Sequence, residues 1–248
     1  MLRFIAACAV TVACLSPAAA QDKRVALVIG NAAYTNVAPM KTALNDASDV
    51  GAALARMGFS VTPLYDATRE NMNKALDAFQ SKVKTADLAL VFYAGHAIQR
   101  DGVNWLIPVD GKLDTIAAVT ASAVNLDRVV GTLDSVGQFG VVLVDAARDD
   151  PFPAVKGKRL STSASAQTPA RQKDIVLAFA TSAGRKTIDG EGRNSPFTAA
   201  LLKHIETPGL EITSLTRHLR DDVLAATGGK QIPSSYATVS GDHYLMPR

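Results

Sequence analysis

The chain has 248 residues, 48% of them hydrophobic, with 26 basic against 23 acidic residues and a formal net charge of +3. That length supports one domain with a sizeable core, and so small a charge excess gives no footing for nucleic-acid or membrane-surface binding. The two cysteines are Cys8 and Cys14.

The first segment reads as a targeting element. Arg3 precedes a short apolar stretch from Phe4 to Leu15, and Ala18, Ala19 and Ala20 form an A-x-A site before Gln21. The pattern predicts a signal peptide over residues 1–20, cleaved after Ala20, and an exported domain, periplasmic or secreted, over 21–248. A spanning helix needs roughly 17–25 apolar residues, so no stable membrane anchor is expected. Both cysteines fall in the leader, so the mature chain is expected to carry no disulfide and no thiolate nucleophile.

From Arg24 onward strand-like and helix-like patterns alternate. Val25 to Ile29 reads as a buried parallel strand, and Leu44, Val50, Leu54 and Met57 as a helix stopping at Gly58. Phe59 to Leu64 is a strand, placed at a sheet edge by Pro63. Thr68 caps a helix whose apolar face is Met72, Leu76, Phe79 and Val83. Leu88 to Tyr93 is a central strand, followed by a hairpin-like stretch through Asp101-Gly102 to Pro108. Leu126, Val129, Val130 and Leu133 mark a helix, and Gly140 to Val144 the next strand. Residues 151–173 turn to Pro, Ser, Ala, Gln and basic side chains, an exposed linker within one domain. Ile175 to Ala180 is a fifth strand. Ser195 and Pro196 open a helix carrying Phe197, Leu201 and Ile205. Leu215, Leu219 and Val223 mark the last helix, ending at Gly228-Gly229. This alternation predicts an α/β fold, a mostly parallel central sheet of about six strands with helices on both faces.

Ligands of such sheets gather beyond the carboxyl ends of the strands. Two apolar runs end there in polar residues, Phe92-Tyr93-Ala94-Gly95-His96 and Leu143-Val144-Asp145-Ala146-Ala147-Arg148. A histidine and a nucleophile about fifty residues apart form the spacing of a caspase-type dyad. Here the nucleophile position holds Ala147.

On these residues the chain resembles bacterial caspase-family p20 proteins of the orthocaspase or metacaspase type, peptidase family C14. The resemblance also covers Val28 to Tyr34, Leu44-Asn45-Asp46-Ala47, Asp145 to Phe152 and Asp189 to Phe197. It implies a caspase-like fold with p20 and p10-like parts. It implies that His96 manages the proton of a cysteine at position 147, with backbone N–H groups near Gly95 and at 147 forming the oxyanion hole. It implies that Asp145 holds a basic side chain before the scissile bond, with Ser182 and Asp189 in the substrate groove. Calcium dependence is a family trait that the residues leave open. No cofactor and no metal site are expected.

Plainer readings apply to the same residues. His96 outside its Tyr-Ala-Gly-His context would be a satisfied strand-end histidine. Asp145 reads equally as a turn cap or a partner of Arg148, and Ser182 as a turn residue. Asp145, Asp149 and Asp150 form an acidic rim that reads either as a divalent-cation site or, for two of its members, as solvated loop carboxylates. His204, His218 and His243 are not expected to bind metal. The resulting expectation is an exported pseudo-peptidase, lacking the nucleophile, that binds a peptide or protein ligand with Arg or Lys side chains. Two alternatives stay open: a peptidase cleaving after Arg or Lys whose native cysteine was replaced by Ala147, and an interaction module with no working groove. Oligomeric state is not readable from the residues.

Overall fold

The continuous apolar runs build the centre of the molecule. In the computed structural model, which describes residues 23–147, 174–188 and 190–248, the main sheet has six strands in the order β2-β1-β3-β7-β8-β9. These are β1 (Arg24–Gly30), β2 (Ser60–Tyr65), β3 (Leu88–Ala94), β7 (Phe139–Asp145), β8 (Ile175–Phe179) and β9 (Ser234–Ala237). All pairs are parallel except β8–β9. The strands β3, β7 and β8 are buried at every position. That burial on both faces is why they read as unbroken runs of Val, Leu and Phe rather than as alternating patterns. A second, three-stranded sheet joins β4 (Ala97–Arg100), β5 (Val103–Leu106) and β6 (Val124–Asn125). The turn between β4 and β5 has positive φ at both Asp101 (50°) and Gly102 (83°), the geometry of a two-residue hairpin turn.

Helices cover both faces. On one face α1 (Ala43–Arg56), α5 (Pro196–His204) and α6 (Ile212–Ala226) pack on Val28, Leu90, Phe92, Val141 and Ala178. On the other, α2 (Arg69–Val83) and α4 (Leu126–Gly131) pack on Leu27, Ile29, Val91, Val142 and Leu177. The α2 stripe is Met72, Leu76, Phe79 and Val83, each at most 1% exposed, worth about 1.5–3 kcal/mol apiece in burial. Thr68 caps this helix, accepting from the Asn71 N–H.

Most expected elements are present, with three differences. Leu44 lies on the outer face of α1 at 36% exposure, and the buried stripe runs through Ala43, Ala47, Val50 and Leu54. The helix α3 (Ile116–Ser122) was not foreseen, since it buries Val119 alone. Neither was β9, a short polar edge strand. Pro63 does sit on an edge strand, β2. The expected leader 1–20, the linker 151–173 and Asp189 lie outside the described residues. No helix among the described residues is long and apolar enough to cross a membrane.

Candidate functional site

The β3–β7 register sets the site. Ala94 pairs with Asp145, so the two strands end at one level. His96 and Ala147 each follow two residues later, just beyond the carboxyl ends of neighbouring strands. His96 and Ala147 are both half-buried.

The backbone of His96 is held from both ends by two buried phenols. Its N–H donates to Tyr34 Oη at 2.7 Å, and its carbonyl accepts from Tyr93 Oη at 2.7 Å. The Ile107 carbonyl lies 2.9 Å from Tyr93 Oη and 3.2 Å from Tyr34 Oη, and the Ile107 N–H donates back to the His96 carbonyl. Each phenol has one proton, and one assignment satisfies every partner: Tyr93 to His96, Tyr34 to Ile107. Burial pushes the Tyr34 phenol up to about 12 and raises that of Tyr93 as well, so both stay neutral donors. Gly95 has the smallest possible side chain for a steric reason. A Cβ there would sit 2.6 Å from each phenolic oxygen.

Tyr34 reaches this point because its loop is pinned at several places. Fully buried Asn31 accepts from the Ala67 N–H and donates to the Ile107 carbonyl. Asp66, itself at positive φ, accepts from the Ala32 and Ala33 N–H groups at 2.8 Å each. The same loop delivers the carbonyl of Ala38 to His96 Nε2 at 2.8 Å. A carbonyl only accepts, so Nε2 carries a proton in this contact. The Tyr34 ring packs on the imidazole at 4.6 Å between centroids. The ring of His96 is therefore held in one orientation. Ala147 carries only a methyl group.

The oxyanion assignment needs correction at Gly95. Its N–H donates to the Asp145 carbonyl at 3.2 Å, which commits it to joining the two strand ends.

Asp145 is 5% exposed and anchors α5. Its Oδ2 accepts from the hydroxyls of Ser195 and Thr198, the latter at 2.7 Å, at the positive end of that helix. Ser195 caps the helix through the Thr198 N–H, and its own N–H donates to Asp46 Oδ1 at 3.0 Å. So two carboxylates, Asp145 from β7 and Asp46 from α1, hold one helix start. Both also line a cavity of about 10 Å³ with Gly95, Thr187 and Ile188, scarcely enough for one water. The described lining residues include no lysine or arginine. Burial raises the Asp46 carboxyl above its ordinary range, against hydrogen bonds from Thr42 and Ser195 that pull it down.

Asp46 lies within a helix motif of the sequence that carries no site signal of its own, since its partner Ser195 is 149 residues away. Ala38 acts through its backbone and left no signal. Ser182 donates to the Ile232 carbonyl at 2.9 Å, a turn contact outside the cavity. His204 and His218 stack at 4.9 Å, with His204 on Asp222, and His243 packs on Phe139. Among the described residues no three His, Cys, Asp or Glu side chains converge as metal ligands.

Comparison with known proteins places this geometry. The profile of the caspase domain, peptidase C14, matches residues 23–244. The human mucosa-associated lymphoid tissue lymphoma translocation protein 1 is 35% identical over 221 residues, covering 86% of this chain and 25% of that protein. Its mouse homologue is 35% identical over 175 residues, covering 68% and 19%. The chain thus spans a quarter or less of the length of these relatives. Caspase-1 from Spodoptera frugiperda superposes with a TM-score of 0.68 at 16% identity, covering 98% of each chain.

Proposed function

The chain belongs to the caspase-domain family, and from that premise we propose that it is an exported pseudo-peptidase: a peptide-binding member that has lost its nucleophile. One observation carries the reading. While the imidazole of His96 is held at Nε2 by the Ala38 carbonyl, the side chain at 147, where the resemblance puts the nucleophile, is a methyl group. In a cysteine peptidase the thiol proton passes to the imidazole and sulfur bonds to the scissile carbonyl carbon. The C–N bond then breaks, and the amine leaves with the proton. With Ala147 the first of these steps has no atom to begin it.

Support for a basic guest comes from the cavity walls, which carry Asp46 and Asp145. A guanidinium or ammonium entering there meets two carboxylates in a low-dielectric setting. The cavity has room for about one water, so a guest side chain requires it to widen. Support for export is the pattern of Arg3, the apolar stretch Phe4 to Leu15 and Ala18-Ala19-Ala20.

The test is Ala147→Cys. It adds one sulfur at a half-buried rim position, so the fold should accept it. The variant is expected to cleave a fluorogenic peptide ending in Arg, to ignore one ending in Asp, and to fall silent when His96→Ala is added. A folded Ala147→Cys protein inert toward Arg, Lys and Asp substrates, with and without calcium, would overturn the proposal of a retained groove.

A further inference from the structure

A larger cavity lies elsewhere, on the far side of α5. About 240 Å³ opens between α6 and the β8–β9 edge. This exceeds the ~150 Å³ of an apolar cavity that accepts benzene, and it falls below the ~300 Å³ from which drug-sized ligand pockets start. The space suits a compact molecule of one ring or a short branched chain, and excludes a nucleotide.

Its chemistry is two-sided. Phe179, Phe197 and Leu219 line it, each at most 1% exposed. An inorganic anion lying on such a floor would lose its hydration without replacement. Across from the floor stand Arg217 and Arg220, three residues apart on α6 and so on neighbouring positions of its surface. Arg220 donates to the Pro233 carbonyl at 2.8 Å and Arg217 to Ser214 Oγ at 2.7 Å. Both bonds go to neutral oxygens. The nearby carboxylate, Glu211, is occupied in capping α6 through the N–H groups of Thr213 and Ser214 at 2.9 Å each. A guanidinium has five N–H donors, so among the described residues these bonds take up only part of the donor capacity at this rim, where Arg217 also feels the charge of Glu211. Ser235 adds a polar residue at the mouth.

We propose that this cavity is a binding site for a small organic carboxylate with an aromatic or branched apolar body, its acid group on Arg217 and Arg220 and its body on Phe179, Phe197 and Leu219. The site is separate from the His96 cleft, and its occupancy does not depend on the presence or absence of a nucleophile at 147.

The probe is 3-phenylpropanoate, with 3-phenylpropanamide as its neutral counterpart, titrated into the mature protein by calorimetry and by amide NMR. The acid is expected to bind, with shifts centred on Thr216, Leu219 and Ser235, and the amide to bind at least tenfold more weakly. Arg217→Gln combined with Arg220→Gln should bring the acid down to the level of the amide. Arg217→Gln alone, at an exposed position where folding is not at stake, should weaken the acid at least threefold. Equal affinity for acid and amide, indifference to the arginine replacements, shifts centred on the His96 cleft, or no binding of the acid at millimolar concentration would each overturn the proposal.

Discussion

Gly95→Ala probes whether the two phenols hold the histidine as described. The added methyl would lie 2.6 Å from both phenolic oxygens and 2.8 Å from Tyr93 Cζ. Neither ring has room to yield, with Tyr34 at 8% and Tyr93 at 1% exposure. Overpacking of this kind costs about 1–3 kcal/mol. Displacing even one phenol also strips the His96 N–H or carbonyl of its partner, and an orphaned buried group costs about 1–3 kcal/mol. Against this, replacing glycine lowers the entropy of the unfolded chain, worth about 0.4–1 kcal/mol. The net expectation is a loss of roughly 2–4 kcal/mol, a large part of the ~5–15 kcal/mol available to a domain. Equilibrium urea unfolding followed by the fluorescence of Trp105, the single tryptophan, measures it. Adding Tyr34→Phe removes one of the two clashing oxygens, so the double variant should lose less than the sum of the single ones. A loss under about 1 kcal/mol, or strict additivity with Tyr34→Phe, would refute the crowding argument.

Thr198→Val keeps the shape of the side chain and the N-cap bond to Ser195 but removes a hydrogen bond to the Asp145 carboxylate, and should cost about 1.5–3 kcal/mol; faster amide exchange in the first turn of α5 is the companion signature. Asp46→Asn tests the cost of a buried carboxylate. Because burial raises the Asp46 carboxyl, the folded state binds its proton more tightly than the unfolded chain does. Wild-type stability therefore falls, relative to the variant, as pH rises from the ordinary carboxylate range, about 3.9, through the raised folded value. Thermal melts should converge at low pH and separate in the variant's favour above that window. A variant less stable at every pH would contradict this sign. The same variant should bind an Arg-bearing peptide more weakly, measured by calorimetry. Intact-mass analysis of protein recovered from the cell envelope should show a chain beginning at Gln21, and a species still carrying residues 1–20 would count against export.

Strong periodicity made the layers readable. The α2 stripe of Met72, Leu76, Phe79 and Val83 and the cap at Thr68 appear where the pattern puts them, as do Ser195 and Pro196 at the start of α5. The apolar runs also located the carboxyl ends of β3 and β7, which His96 and Ala147 follow. What stayed hidden carries little side-chain signal. The β9 strand, Ser-Ser-Tyr-Ala, alternates between half-buried and exposed positions at an edge, too short and polar to stand out from a loop. The role of Asp46 depends on α5 arriving beside α1 from a distant part of the chain, and no local pattern encodes that meeting. Gly95 illustrates the converse. Its neighbourhood with the histidine was plain, but its N–H is spent on Asp145, which only the register of β3 against β7 reveals.

The partner of the His96 ring is a main-chain oxygen, and this gives the two halves of the dyad different mutational fates. A nucleophile is a single side chain, lost by a single substitution. The carbonyl of Ala38 belongs to every amino acid that could occupy that position, so no replacement there deletes the acceptor; only a shift of the loop pinned by Asn31 and Asp66 withdraws it. A chain that loses its thiol thus keeps its histidine oriented without any selection on residue 38. On the reading proposed above, such a site is locked rather than eroding, and the proposed route back from it is one residue long.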